Sequence, residues 1–369
     1  MKKRLLALTL VTAMAASLAG CGGGAKETTA APTEAKTEAA APAETKAEAA
    51  PEASGDKAAA PEIVLKYAEL NSDDNINTRV GYEFAKYVDE MSNGRIKIEV
   101  YSASTLGDEK TCLNALQMGG GTVDMYRGNT NSLSDYGFKK LNMFGLPFIF
   151  TSREGMWKVL ENEELGQAFL SEGSEVGAGM VGVFYMDEGA RNLFTTKEIK
   201  GLSDIKSMKI RVPETQLMMD TMKALGAEPT PISYSELYSS LQSGVVDGAE
   251  NGYPGYSSNK FYEVAPYYLL SGHTFSPGVV LMAEAKWNAL SPEDQQILRD
   301  AGQKASDWNK EAIDAEEVAL RKELEGKGVT IIDMTDEDKA AAQAACEPVW
   351  AGYTEGIEDL LNKMVEIQK

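Results

Sequence analysis

Histidine is almost missing: His273 is the only one in 369 residues. One imidazole cannot build a multi-histidine zinc site, and it leaves a single candidate base for Ser- or Cys-centred catalysis. Cysteine is scarce as well, with three, and no CxxC or Cys/His spacing suggests a metal site. Basic residues are outnumbered, 36 against 56 acidic, for a formal net charge of −20. That balance argues against nucleic acid, which needs a basic face, and against electrostatic attraction to anionic lipid. Arginine is the minority even among the basic residues, nine of 36. No internal repeat is visible.

The N-terminus is a leader. Lys2, Lys3 and Arg4 precede the apolar run LLALTLVTAMAASLAG, which ends at Cys21. Residues 1–20 read as a secretory signal peptide, too short and wrongly flanked for an ordinary membrane span. Leu18-Ala19-Gly20-Cys21 looks like a bacterial lipobox. Cleavage and lipidation at Cys21 follow from that likeness, and place the protein outside the cell, lipid-anchored to the outer face of the bacterial membrane. Residues 21–61 are Ala, Glu, Thr, Lys and Pro with almost no large apolar side chain. Such a segment cannot offset its chain entropy and is predicted to be a disordered tether. About 40 residues of that kind span roughly 35 Å root-mean-square.

The folded part begins near Glu62 and is around 300 residues long, ample for a large core and two lobes. EIVLKYAEL (62–70) reads as a strand, and NINTRVGYEFAKYVDEMSNG as an amphipathic helix stopped by Gly94. RIKIEVYS, the helix LGDEKTCLNALQMGGG and the strand TVDMYRG extend a βαβαβ rhythm, which predicts a parallel α/β sheet. REGMWKVLENEELGQAFLSEG reads as one helix, and GMVGVFYMDEGARNLFTT as a strand ending near Asp187. Ser233 and Glu236 have capping-box spacing. A long helix starts at Ser291-Pro292 and reaches about Gly328, long enough to brace two lobes. Cys112 and Cys346 fall on helices far apart in sequence. Export permits a disulfide, but two cysteines do not establish one, and they are read as buried thiols.

In α/β sheets ligands bind beyond the carboxyl ends of strands. MKIRVPE (208–214) reads as a strand with Arg211 near its end, stopped by Pro213. Two readings of Arg211 stand: a salt bridge on a sheet edge, or a receptor for a carboxylate. A guanidinium fork matches a carboxylate in two parallel hydrogen bonds, and such a bond is stronger inside a closed cleft. Arg127, Arg191 and the Glu250-Asn251 pair fall at equivalent positions. A very acidic protein needs such a local cluster to hold an anion.

The run from MKIRVPETQLMMDTMKALGAEP to SGVVDGAENGYPGYSSNKFYEVAPYYLLSGH resembles the solute-binding proteins of tripartite ATP-independent periplasmic (TRAP) transporters. NGRIKIEVYSASTLGDEK, LQMGGGTVDM, LNMFGLPFIF and GARNLFTTKEIK agree. The resemblance implies a two-lobed α/β fold of the periplasmic-binding-protein kind, with a ligand cleft between the lobes and a long bracing helix. The lobes expected from it are 62–188 plus about 277–316, and 189–276 plus about 317–369. It implies a binding subunit without cofactor or catalysis, which captures a small carboxylate and hands it to a small and a large membrane subunit. Arg211 of IRVP carries over as the carboxylate partner, with Arg191 of GARN and Asn251 of AENG beside it. Glu109, Arg127 and Asn131 fall where substrate-distinguishing residues sit. Tyr234 either offers a flat face to a sugar ring or faces the core, as does Tyr238. His273 either contacts ligand or is structural. The 215–251 stretch looks most like members that bind sugar acids such as glucuronate and galacturonate. SGHTFSPG and RGNTNSL depart from that subgroup. A C4-dicarboxylate is the alternative ligand. A lipoprotein of an ATP-driven importer, an extracytoplasmic sugar-acid enzyme and a sensor subunit are the alternative functions.

Overall fold

Alternation of apolar and polar residues sets the first two strands, β1 (Ile63–Ala68) and β2 (Ile96–Tyr101). The computed structural model describes residues 60–369; the leader, Cys21 and the tether as far as residue 59 lie outside the described residues. β1 and β2 run parallel, and β3 (Met125–Asn129) joins β1, also parallel. The sheet is completed by β4 (Met180–Met186) and by β10 (Gly278–Ala283), which arrives about a hundred residues later and lies between β3 and β4. β10 is antiparallel to both, so the sheet is mixed, not parallel as the βαβ rhythm predicts. Its first residue, Gly278, pairs with Asn129 and Met186, the last residues of its neighbours. The strand therefore enters at their carboxyl ends.

A second sheet has the order β11-β9-β5-β8-β6-β7. Its members are β5 (Arg191–Thr195), β6 (Lys209–Val212), β7 (Glu228–Pro231), β8 (Gly248–Asn251), β9 (Tyr267–Thr274) and β11 (Thr330–Asp333). β5 is antiparallel to β8 and β9, and its first residues pair with their last, Arg191 with Thr274 and Asn192 with Asn251. The two strands that carry the chain between sheets, β5 and β10, thus start at the same place where their neighbours end. β7 escapes pattern reading because it contains two prolines; it sits at the sheet edge, where a missing N–H costs no ladder bond.

Helices cover both faces of each sheet. Asn75, Asp108, Thr215 and Ser291 cap the helices Ile76–Met91, Glu109–Gln117, Gln216–Ala224 and Pro292–Gly326 with side-chain acceptors. The expected capping box at Ser233 is not formed. Tyr234–Glu236 is a 3₁₀ turn, and the Glu236 N–H goes to the Ser233 carbonyl instead. The predicted helix after Arg153 is broken into Arg153–Leu160, a π turn at Glu163–Gln167 and Glu172–Glu175. Gly166 lies so close to the Leu160 carbonyl that a Cβ would sit 2.1 Å from its oxygen. Cys112 and Cys346 are free thiols buried in cores on different sheets, and burial pushes both up to about 12.

The 35-residue helix Pro292–Gly326 ties the sheets together. Leu298, Ala301 and Ala305 pack on the first sheet, and Leu324 packs on the second. Gly302 lets it approach β4 closely: a Cβ there would lie 2.6 Å from Phe184. Farther along, Asn309 grips the crossing between sheets, accepting from the Asp187 N–H at 2.6 Å and donating to its carbonyl at 3.2 Å. Arg153 bonds Asp187 at 2.5 Å and Glu317 of the helix at 2.8 Å. The C-terminal region divides. Ala342 and Cys346 belong to the second sheet's core, but Met364 of the last helix, Glu358–Ile367, packs in the first sheet's core. The expectation that 317–369 lies wholly with the second sheet does not describe that helix.

Gly302→Val is expected to cost about 1–3 kcal/mol, the usual penalty for overpacking a filled core. Urea unfolding read by circular dichroism measures it, and an unchanged midpoint would refute the close approach.

Candidate functional site

The strand ends that meet between the sheets surround a cavity of about 420 Å³. Each sheet sends buried arginines to it, and their counter-ions differ.

Arg127, on β3, is saturated. Its Nε and Nη2 bond both oxygens of Glu69 at 2.8 and 2.5 Å, and its Nη1 bonds Glu188 at 2.9 Å. Glu69 stands just past β1 and Glu188 in the crossing to the second sheet. Asn129 donates to the other oxygen of Glu188 at 2.9 Å. Burial disfavours the Arg127 charge, but Glu188 and Glu69 outweigh it and hold the group well above its ordinary value.

Arg191, the first residue of β5, is also paired. It grips Glu250 of β8 through Nε at 2.5 Å and Nη2 at 2.8 Å. Glu250 is fully buried behind it. His273 lies behind Glu250 in turn, with Nε2 at 3.4 Å from the carboxylate and Nδ1 at 2.9 Å from Ser271 Oγ. Neither Glu250 nor His273 lines the cavity. His273 is 0% exposed and faces the back of an ion pair, a placement that suits the structural of its two readings. Glu250 holds the fork of Arg191 from behind the wall.

Arg211, on β6, has no such partner. Its Nε donates to the Ile232 carbonyl at 2.7 Å, and its guanidinium carbon lies 5.7 Å from the centre of the Tyr234 ring. Among the described residues it forms no ion pair, because Glu250 is already committed to Arg191. Yet Arg211 is only 3% exposed and borders the cavity. Burial drags it down, Glu250 partly opposes this, and the like charge of Arg191 adds to the fall, leaving it at about 10. A buried cation kept short of anionic partners is costly unless something else supplies the negative charge.

Polar groups from both sheets complete the wall. Asn251 donates to the Tyr234 hydroxyl at 3.1 Å, and Asn259 does so at 2.9 Å. That hydroxyl donates across the cleft to Asn71 at 3.2 Å. Asn71 in turn donates to Glu69 from its backbone and side chain, at 2.9 and 2.8 Å. A hydrogen-bonded chain therefore runs from Arg127 to Tyr234. Tyr234 is a wall residue, whereas Tyr238 bonds Glu263 at 2.9 Å and is not. Asn131 reaches the wall too, but its amide is spent on Ser276 Oγ at 3.2 Å and Met218 Sδ at 3.3 Å. Glu109, at the start of its helix, is half-buried on the wall and accepts the Tyr126 hydroxyl at 3.3 Å. Burial raises its carboxyl above the ordinary value, against the pull of Arg127.

Glu69, Asn71 and Glu188 were not singled out from sequence. All three lie within a few residues past a strand end, which was the available signal. The pairing of Glu69 and Glu188 with Arg127, 58 and 61 residues away, was not.

Comparison with known proteins agrees with this architecture. The family of bacterial extracellular solute-binding proteins, family 7, matches residues 68–356. A solute-binding protein of Chromohalobacter salexigens is 31% identical over 286 residues, covering 77% of this chain and 83% of its own. A TRAP periplasmic solute-binding protein of Xanthobacter autotrophicus Py2, solved with bound β-D-galacturonate, is 30% identical with a TM-score of 0.76. The match covers 82% of this chain and 99% of that one. Another, from Pseudomonas putida F1 with bound D-glucuronate, has the same identity and TM-score and is covered over 96% of its length, against 82% of this chain.

The Arg191–Glu250 pair has a pH signature. Burial pushes Glu250 up, but Arg191 and His273 overcome it and hold the carboxyl at about 2, against an ordinary 4.5. A carboxyl depressed by folding contributes stability fully above its unfolded value and loses it as pH falls through the folded one. Its share is therefore present above about pH 4.5 and lost toward pH 2. Glu250→Gln strands a buried guanidinium and is expected to cost about 3–5 kcal/mol at neutral pH. It should also flatten the decline across that acid window, as measured by urea unfolding at stepped pH.

Proposed function

The chain belongs to the family 7 bacterial extracellular solute-binding proteins that serve TRAP transporters, and on that premise we propose that it captures a sugar acid through Arg211. The observation that carries this reading is the buried, unpaired guanidinium facing a polar cavity. A carboxylate there meets a two-pronged donor whose neighbours are already neutralised. Arg191 stands beside Arg211, its fork held rigid by Glu250, and Asn251 and Tyr234 supply uncharged donors and acceptors. A cavity of about 420 Å³ suits a six-carbon acid, since small-molecule pockets begin near ~300 Å³. The relatives solved with galacturonate and glucuronate support the choice of sugar acid.

Capture works by population shift. Arg211 belongs to one sheet, and Glu109, Arg127 and Asn71 to the other. Only the closed arrangement offers both sets of contacts, so the solute stabilises closure by the affinity difference between the two states. The Tyr234–Asn71 bond closes the same gap and adds to that preference. Release to the membrane subunits requires this bond to part. Nothing in the cycle alters the solute chemically.

We further propose that Cys21 is the lipidated N-terminus of the mature protein. Cys21→Ser should move the protein from the membrane fraction to the medium or periplasm, and a wild type found wholly in the soluble fraction would refute the anchor.

The test of the ligand reading is a thermal-shift panel of uronates, aldonates and C4-dicarboxylates against wild type, Arg211→Ala and Arg211→Lys. A ligand at 100 times its Kd adds about 2.7 kcal/mol of stability. Arg211→Ala is expected to lower affinity by two to three orders of magnitude, about 3–4 kcal/mol for a buried charge pair. Arg211→Lys recovers only part of it, lacking the fork. Equal response from wild type and both variants would make Arg211 structural.

A further inference from the structure

The cavity is longer than the acid assigned to its inner end, and this step rests on the sugar-acid reading above. Arg127, Arg191 and Arg211 border the inner end and are all buried. From there the wall follows the helix Glu109–Gln117, whose Glu109, Leu113, Asn114 and Gln117 all line the cavity. These positions recur at helical spacing, so one face of the helix forms the wall along its whole length. Glu109 feels the charge of Arg211 and marks the inner end, while the exposed amides of Asn114 and Gln117 mark the outer one. Eight residue steps of about 1.5 Å put roughly 12 Å between the first and the last. A pyranose acid crosses only four or five zigzag bonds of about 1.5 Å on its longest path, roughly half that length. Beside the outer half lies Tyr136, which closes the 3₁₀ turn Ser134–Tyr136, is half-buried and lines the cavity. Its hydroxyl donates to Asn114 Oδ1 at 3.3 Å.

We propose that this outer stretch is a second subsite, which takes an uncharged ring joined to the sugar acid held by Arg211. The ligand class is then a uronic acid glycoside, a uronate whose anomeric oxygen carries a neutral sugar or an aryl group. Tyr136 offers a flat apolar body with a polar tip, the surface on which an aryl ring or the C–H face of a sugar packs. Leu113, only 1% exposed, adds an apolar floor one turn along from Glu109. Asn114 and Gln117 bring neutral donors and acceptors suited to sugar hydroxyls. Lys110, one turn before Asn114, and Asp135, next to Tyr136, are both exposed to water, where an ion pair is worth little. The outer stretch therefore recognises shape and hydrogen bonding, and the charge of the ligand is read at the inner end alone.

The experiment is calorimetric titration of the full chain with glucuronate, galacturonate and the methyl and phenyl β-glycosides of each. The methyl glycoside adds the substituent without a ring, so the ratio of phenyl to methyl affinity reads the outer subsite alone. In the wild type the phenyl glycoside is expected to bind at least tenfold more tightly than its methyl counterpart. Tyr136→Ala should cut that ratio at least fivefold and shift the free uronate by no more than about twofold, which also shows that the variant is folded. Tyr136→Phe, which keeps the ring, should preserve the ratio. Asn114→Trp, at an exposed helix position, fills the outer stretch and should exclude the phenyl glycoside while leaving the free uronate bound. A phenyl glycoside that binds no better than the methyl one overturns the inference, as does a ratio unchanged in both Tyr136→Ala and Asn114→Trp. So does a wild type that takes aldonates but no uronate. In those cases the sugar-acid reading survives so long as binding still requires Arg211. Binding of no sugar acid, or binding indifferent to Arg211→Ala, overturns that reading and this inference with it.

Discussion

Three guanidinium groups share one buried cavity, and that arrangement holds because two of them are neutralised from behind. Glu69 and Glu188 take Arg127, and Glu250 takes Arg191. Unneutralised, three like charges at close range in a medium of reduced dielectric would force the lobes apart. With all five pairing bonds donated to carboxylates, only Arg211 is left without an ion-pair partner among the described residues. Much of the surrounding sequence serves this arrangement. His273 and Ser271 back Glu250, Asn129 backs Glu188, and Asn71 backs Glu69. Glu69, Glu250, His273 and Ser271 stand behind the cavity wall, whereas Asn71, Asn129 and Glu188 are part of it.

The same pairing ties the two sheets. Glu188 sits in the crossing between sheets, so Arg127 binds the first sheet to that crossing. Arg191 opens β5 immediately after that segment. The crossing and the strand that carries Arg191 are therefore a few residues apart, so a displacement of one displaces the other.

Much of this was legible in the sequence, and the failures have physical causes. Arg211 could be placed at a strand end because Lys209 to Val212 alternates and Pro213 stops the ladder. The long helix was legible from Ser291-Pro292 and its charged periodicity. The strand directions were not, because β5 and β10 take their orientation from where the chain re-enters a sheet, a tertiary matter that local pattern does not encode. The counter-ions of Arg127 and Arg191 were hidden for the same reason: Glu69 and Glu250 are 58 and 59 residues away in sequence. Position alone therefore made the three arginines look equivalent, and only pairing separates Arg211 from the others. The Ser233–Glu236 spacing misled because a 3₁₀ turn satisfies the backbone locally without the side chains.

β10 lies between β3 and β4, which do not touch each other. The first sheet thus stays in two unconnected pieces until residue 283 has been made, well after most of the second sheet's sequence has appeared. The second sheet, by contrast, has five adjoining strands in the continuous stretch 191–274, with only its edge strand β11 coming later. The interleaved strand order postpones closure of the first sheet until β10 is made, so that sheet depends on contacts of long sequence separation, which are slow to form.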